Sequence, residues 1–179
     1  LLHGTGGDEN DMLQLGRQVL PGAHLLAPRG DVLKGGAPRF FKRLGMGVYD
    51  MADLARATQK LASFIGDKIE ALRPSSVAAL GYSNGANVLA ATLMERPGLI
   101  GRAVLMHPLI PFAPPPQPGL AGTRVLITAG RSDPIAPAEL TEQLAAYFTA
   151  QGARAAIAWH EGGHEIRQNE VQAARDFLA

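Results

Sequence analysis

The chain has no cysteine among its 179 residues. That absence excludes disulfides, thiolate metal sites and a cysteine nucleophile, and it is in keeping with a cytoplasmic protein. No apolar run reaches the roughly 18 to 20 residues that a membrane span requires. Nor does any segment combine the charged start, apolar middle and small-residue cleavage site of a secretory leader. An excess of one charge is missing too, because 17 basic and 16 acidic side chains leave a formal charge of +1. Such a surface has no global field to draw it to nucleic acid or an anionic membrane, which leaves a small molecule as the expected partner. What is present is apolar material, 46% of the residues, enough for one sizeable core and one domain over residues 1–179. The sequence opens on Leu1-Leu2-His3 as if at the end of a strand, so one or more upstream strands are expected to be missing.

Short apolar runs bounded by Gly or Pro recur at residues 23–28, 77–82, 103–107, 124–129 and 155–159. Helical patterns lie between most of them. The alternation predicts an α/β fold with a mostly parallel sheet of about six strands and helices on both faces. Runs such as Val77–Leu80 and Val125–Ala129 lack polar alternation, as strands covered on both sides do. A first helix is expected from a cap at Asp8 through Leu20, and a long amphipathic one from about Met51 to Leu72, before Pro74. Others are expected from Asn84 to Arg96, from Pro137 to Gln151 and from Glu165 to Leu178. The connection from Pro108 to Thr123 carries six prolines in sixteen residues, so it cannot build a helical lid.

Gly81-Tyr82-Ser83-Asn84-Gly85 follows an apolar strand and opens a helix. That is the context in which a G-x-S-x-G serine sits on a sharp turn with its hydroxyl exposed at the sheet's edge. A serine hydroxyl is a poor nucleophile unless a base takes its proton and a third group orients that base. Asp133, in Gly130-Arg131-Ser132-Asp133-Pro134, and His164, after Gly162-Gly163, both fall in loops that follow strands, at the edge where Ser83 lies. Their order, Ser then Asp then His, suits nucleophile, orienting acid and base. Negative charge on a carbonyl oxygen also needs fixed donors, and His3-Gly4-Thr5-Gly6-Gly7 can turn amides toward it. The candidate oxyanion donors are the amides of Thr5 and Asn84, the latter also at a helix N-terminus.

These segments, Leu2-His3-Gly4-Thr5-Gly6-Gly7-Asp8, Gly81–Ala86, Gly130–Ile135 and Gly162–Glu165, resemble four signatures of the small carboxylesterase and phospholipase branch of the α/β-hydrolases, close to dienelactone-hydrolase-like proteins. The resemblance covers nearly the whole chain. It implies a serine esterase that needs neither metal nor cofactor, with Ser83, Asp133 and His164 matching the family's nucleophile, acid and base. It also makes a homodimer unsurprising. A thioesterase, an acyltransferase and a receptor with a silent site remain open as alternatives on the same residues.

His160-Glu161-Gly162-Gly163-His164 matches the H-E-x-x-H zinc pattern, but that chemistry needs a helix. Two adjacent glycines would cost such a helix about 1 kcal/mol each, and the preceding run reads as a strand. A dinucleotide site is disfavoured because no G-x-G-x-x-G lies between strand and helix. Among the other candidates, His107 is expected to be structural, His24 a core or edge-strand residue, His3 a brace for the oxyanion loop, and Arg39 solvated with room for a substrate role beside Phe40. Phe40, Phe41, Met46 and Tyr49, with Leu109 and Ile110, are expected to line a short, partly open apolar cleft for short to medium acyl groups.

Overall fold

A computed structural model describes residues 1–179. In chain order it contains α1 (Asp11–Val19), the short strands β1 (Val32–Lys34), β2 (Ala37–Arg39), β3 (Arg43–Gly45) and β4 (Val48–Tyr49), then α2 (Met51–Leu72), β5 (Ala78–Tyr82), α3 (Asn84–Glu95), β6 (Arg102–Met106), a 3-10 turn at Pro118–Leu120, β7 (Arg124–Gly130), α4 (Ala138–Ala150), β8 (Arg154–His160) and α5 (Gln168–Leu178). The sheet is parallel, in the order β5-β6-β7-β8.

Side chains alternate across this sheet and so build two cores. Ala103, Leu105, Val125 and Ile127 face one layer, where they join Leu54 and Leu61 of α2, Val88, Leu89 and Leu93 of α3, and Leu144 and Phe148 of α4. Leu80, Val104, Met106 and Leu126 face the other, with Met12 and Val19 of α1 and Ala174 and Leu178 of α5. Each fully buried Leu or Phe contributes roughly 1.5–3 kcal/mol. The continuous apolar runs of the sequence thus belong to strands covered on both faces.

Helix ends follow local chemistry. Asp50 caps α2 by accepting from the Asp53 amide at 3.0 Å, and α2 stops at Arg73 in the left-handed region, φ 45°, just before Pro74. At α1 the expectation is off by a turn: the N-cap is Asn10, and Asp8 instead accepts from the Asn10 amide at 2.7 Å in the preceding turn. The last helix likewise begins at Gln168 rather than Glu165.

The main sheet holds four strands where about six were expected. Residues 23–28 form no strand and pair with no ladder; the Leu26 carbonyl accepts from the Leu1 amine at 2.8 Å. Leu2 makes a single parallel bridge to Gly81 beside β5. His24, expected inside or on an edge strand, is exposed in this unpaired segment.

The excursion between residues 32 and 49 folds as two antiparallel hairpins, β1–β2 and β3–β4. Gly35 and Gly36, φ 58° and 79°, make the first turn, which needs positive φ at both positions. The proline-rich connection after β6 forms only the 3-10 turn at Pro118–Leu120.

Candidate functional site

Ser83 lies between β5 and α3 with φ 52° and ψ −116°, a conformation unusual for a residue with a side chain. The turn closes because its flanks are glycines. A Cβ at Gly81 would meet the Gly85 carbonyl at 2.6 Å, and one at Gly85 would run into the backbone of Leu2 and His3. The Ser83 amide donates to the Met106 carbonyl at 2.9 Å, which ties the turn to β6.

The structure brings the three sequence candidates together. Ser83 Oγ is 2.9 Å from His164 Nε2, and His164 Nδ1 is 2.7 Å from Asp133 Oδ2. With Asp133 ionised, the Nδ1 proton donates to the carboxylate and Nε2 is free to accept from the hydroxyl, a tautomer assigned from the network. The loops bearing Asp133 and His164 touch at Gly130, where any Cβ would clash with the Gly162 and Gly163 carbonyls. The Tyr82 hydroxyl donates to the His164 carbonyl at 2.7 Å and anchors the second loop from the residue before Ser83.

Asp133 is buried, and four donors converge on it. Oδ1 accepts from the amides of Ile135 at 2.8 Å and Ala136 at 3.0 Å, and Oδ2 accepts from His164 and, at 2.9 Å, from His107 Nδ1. Burial opposes its charge, but the Ala136 amide, His107, His164 and the Ile135 amide outweigh it and hold the carboxyl below its usual range.

The His107 ring lies between two carboxylates. Its Nε2 is 3.0 Å from Glu170 Oε1, close enough for a charge contact though off the line of the N–H. Burial works against a cation there, yet Glu170 and Asp133 prevail and raise its pKa above the ordinary histidine value. Glu170, fully buried on α5, accepts from Thr128 Oγ1 at 2.6 Å and from the Arg167 amide at 2.7 Å, and His160 Nε2 lies 3.2 Å away. Burial opposes its charge too, and His107, Thr128 and the Arg167 amide keep it below the usual glutamate range. His107 is thus structural in a specific sense: it joins Asp133 to a second buried carboxylate.

His160 ends β8 and its Nδ1 accepts from the Gly162 amide at 2.9 Å, so H-E-x-x-H straddles a strand end and a turn. His107, His160 and Glu170 do converge, their ligand atoms within 4.8 Å of one another. All three are shut from solvent, so an ion held there would not reach a substrate. Glu161 is exposed and pairs with Arg131.

On the other side of Ser83, the amides of Gly6 and Gly7 are engaged by the carbonyls of Pro38 and Gly4, whereas those of Thr5 and Asn84 meet no acceptor in the protein. His3 braces this loop. Its Nδ1 donates to the Gly4 carbonyl at 2.7 Å, and its Nε2 accepts from the Gly30 amide at 2.9 Å. Phe40 stacks on His3 with ring centroids 4.8 Å apart, and its amide donates to Asn84 Oδ1 at 2.7 Å. Leu109 is held by the Asn87 side chain and by Tyr49, whose hydroxyl donates to its carbonyl at 2.6 Å.

The remaining proposed cleft residues separate. Phe41 is fully buried, edge-on to Tyr49, and Ile110 belongs to the same core, while Met46 is 66% exposed at the tip of the β3–β4 hairpin. Arg39, expected in solvent, is buried. A cleft of about 400 Å³ borders the loop from His3 to Gly7 and is lined by His3, Thr5, Met12, Leu15, Tyr82 and Ile166. A larger groove of about 850 Å³ lies along the β5 edge and contains none of Ser83, Asp133 or His164.

A parallel sheet layered by helices, with a serine elbow after one strand and acid and histidine loops after two others, defines an α/β-hydrolase fold. The chain belongs to the phospholipase/carboxylesterase family, whose model matches residues 1–179. It is 45% identical to MhqD of Bacillus subtilis (strain 168), whose own assignment as a hydrolase is provisional, over 99% of this chain and 90% of that one. The protein Atu2452 from Agrobacterium tumefaciens str. C58, of unknown function, is 53% identical over 99% of this chain and 87% of its own, with a TM-score of 0.92. A Bacillus cereus carboxylesterase is 37% identical over 98% of this chain and 84% of its own, with a TM-score of 0.93. No helix is long and apolar enough to cross a membrane.

Proposed function

We propose that the protein is a serine carboxylesterase in which Ser83 attacks the ester carbonyl, His164 is general base and then acid, and Asp133 orients and stabilises the imidazole. The observation that carries this is the unbroken line from Ser83 Oγ through His164 to Asp133, with steps of 2.9 and 2.7 Å, on a strained serine. As Ser83 Oγ bonds to the carbonyl carbon, its proton passes to His164 Nε2. The carbonyl oxygen becomes negative and is met by the amides of Thr5 and Asn84. Collapse expels the alcohol, which takes the proton from His164. Water then attacks the acyl-enzyme by the same path, returning Ser83 and a carboxylic acid. Membership of a family that includes a carboxylesterase supports the ester as substrate.

The acyl group is placed beside Phe40 and Leu109, whose amides bond the side chains of Asn84 and Asn87 on the helix that Ser83 opens. With only a 3-10 turn after β6 and a hairpin wall, the cleft is short, and each methylene it buries contributes roughly 0.8 kcal/mol. Preference therefore rises over the first carbons and levels at about four to eight, the count at which so short a cleft is filled. The test is turnover of an ester series by the parent and by Ser83→Ala. A loss of about a thousandfold or more in the variant is expected, and activity that survives the substitution would exclude the mechanism.

A further inference from the structure

Three charged side chains other than histidines are buried in this protein: Arg39, Asp133 and Glu170. The two carboxylates are surrounded by donors. Arg39 is 5% exposed, its Nε and Nη1 are shut from solvent, and its guanidinium makes no hydrogen bond or ion pair with any other residue. The carboxylates that flank its hairpin are engaged elsewhere, Asp31 by Arg56 and Lys60, Asp50 by the Asp53 amide, and Asp53 by Arg56 and the Lys42 amide. Between residues 32 and 49 the chain carries Lys34, Arg39, Lys42 and Arg43 and no acid. Burial and the nearby Arg43 both act against the Arg39 charge and bring its pKa below the ordinary guanidinium value, with no carboxylate acting the other way. A buried cation without a counter-ion is costly to keep, and proteins seldom hold one that nothing ever pairs.

Its position links it to the site. One residue before it, the Pro38 carbonyl accepts from the Gly6 amide of the oxyanion loop at 2.9 Å; one residue after it, the Phe40 amide donates to Asn84, next to Ser83, at 2.7 Å. Side chains alternate along an extended strand, so Arg39 leaves the ribbon on the face away from Phe40, which lies on His3. Further along the same excursion, Tyr49 is tied to Leu109 and to Asn87, one helical turn beyond Ser83. The guanidinium thus leaves a strand whose backbone is bonded, immediately before and after it, to the oxyanion loop and to Asn84 beside Ser83.

We propose that Arg39 is an anion-binding residue of the substrate site, and that the preferred esters carry a second, free carboxylate at the far end of the acyl chain. This rests on the esterase reading and sharpens it: the substrate is the half-ester of a dicarboxylic acid, and the guanidinium exchanges its missing partner for the substrate's carboxylate. The pairing is charge-assisted and forms at a guanidinium already shielded from water, which makes it strong.

The test compares kcat/KM for monoethyl adipate with that for ethyl hexanoate, which has the same acyl length and no second carboxylate. The parent is expected to favour the half-ester by about 10- to 100-fold, the strength of one charge-assisted pairing. Arg39→Gln is expected to erase that ratio, and Arg39→Lys to keep part of it. Free adipate is expected to compete with substrate in the parent, more weakly at high salt and not in Arg39→Gln. Inorganic phosphate competing more tightly than adipate would overturn the assignment to a carboxylate. Calorimetry of monoethyl adipate binding to Ser83→Ala, with and without Arg39→Gln, separates the anion site from hydrolysis. Arg39-dependent binding without turnover by the parent would keep the site and sink the esterase. Without ligand, Arg39→Gln is expected to melt no lower than the parent, since it relieves an unpaired charge. An equal preference in the parent and in folded Arg39→Gln, or no preference in the parent, would overturn the proposal.

Discussion

His107 and His164 donate to the same oxygen of Asp133, at 2.9 and 2.7 Å, from rings whose centroids are 5.1 Å apart. In the proposed mechanism only His164 exchanges protons with the substrate. His107 is held between Asp133 and Glu170, which raise its pKa, and it carries positive charge beside the His164 ring whenever it is protonated. Replacing it with Gln removes that charge and is expected to move the acid limb of the kcat/KM profile to higher pH. The same change leaves Glu170 without its main partner and is expected to cost about 3 kcal/mol. A pH–rate profile beside a melting curve checks both, and an unmoved acid limb would show that His107 only packs.

The two buried carboxylates set an acid limit to stability. Asp133 and Glu170 titrate below their unfolded values, so their contribution is complete above about pH 4, near the unfolded carboxyl pKa, and is lost as pH falls through their lower folded values. His107 has the opposite sign: its contribution is complete below about pH 6.5, the unfolded histidine value, and declines as pH rises through its raised folded pKa. The melting temperature is expected to be highest between these windows and to fall steeply in acid, and Glu170→Gln should flatten the acid fall.

Two glycine substitutions separate close approach from mere composition. A Cβ at Gly85 would enter the backbone of Leu2 and His3, so Gly85→Ala is expected to cost at least 2 kcal/mol through overpacking against atoms that cannot yield. Gly66, within α2, has open space around the same position, and Gly66→Ala is expected to stabilise by about 0.5–1 kcal/mol. Chemical denaturation of the two variants checks the pair.

The H-E-x-x-H match can be tested by function as well as by geometry. Because His160 ends a strand and Glu161 is exposed, Glu161→Gln and prolonged chelation are expected to leave ester turnover unchanged, while His164→Ala removes it. Activity lost to a chelator and restored by zinc would reverse this reading.

Much of the arrangement around Ser83 could be read from the residues alone. Buried parallel strands leave unbroken apolar runs, the elbow leaves glycines where backbones nearly touch, and loops after strands return to one edge. The hairpins at 32–49 went unread because their strands are two or three residues long and one contains Pro38, which blurs alternation, although Gly35-Gly36 was a legible turn signal. The charge network was hidden for a different reason. Glu170 looks like a surface acid until it is placed in line with Ala174 and Leu178 along the inner face of α5. Nothing local tells His107 from any strand-end histidine, because its partners come from residues 26 and 63 positions away. Burial of Arg39 depends likewise on packing that a single sequence does not encode locally.

The most direct test of the central claim is labelling by a fluorophosphonate, which bonds only to a serine whose proton a neighbouring base can remove. Peptide mapping by mass spectrometry is expected to find one equivalent per chain on Ser83, with no labelling of Ser83→Ala and strongly slowed labelling of His164→Ala. An unlabelled Ser83 in folded protein, or a label on another serine with ester turnover intact, would contradict the account.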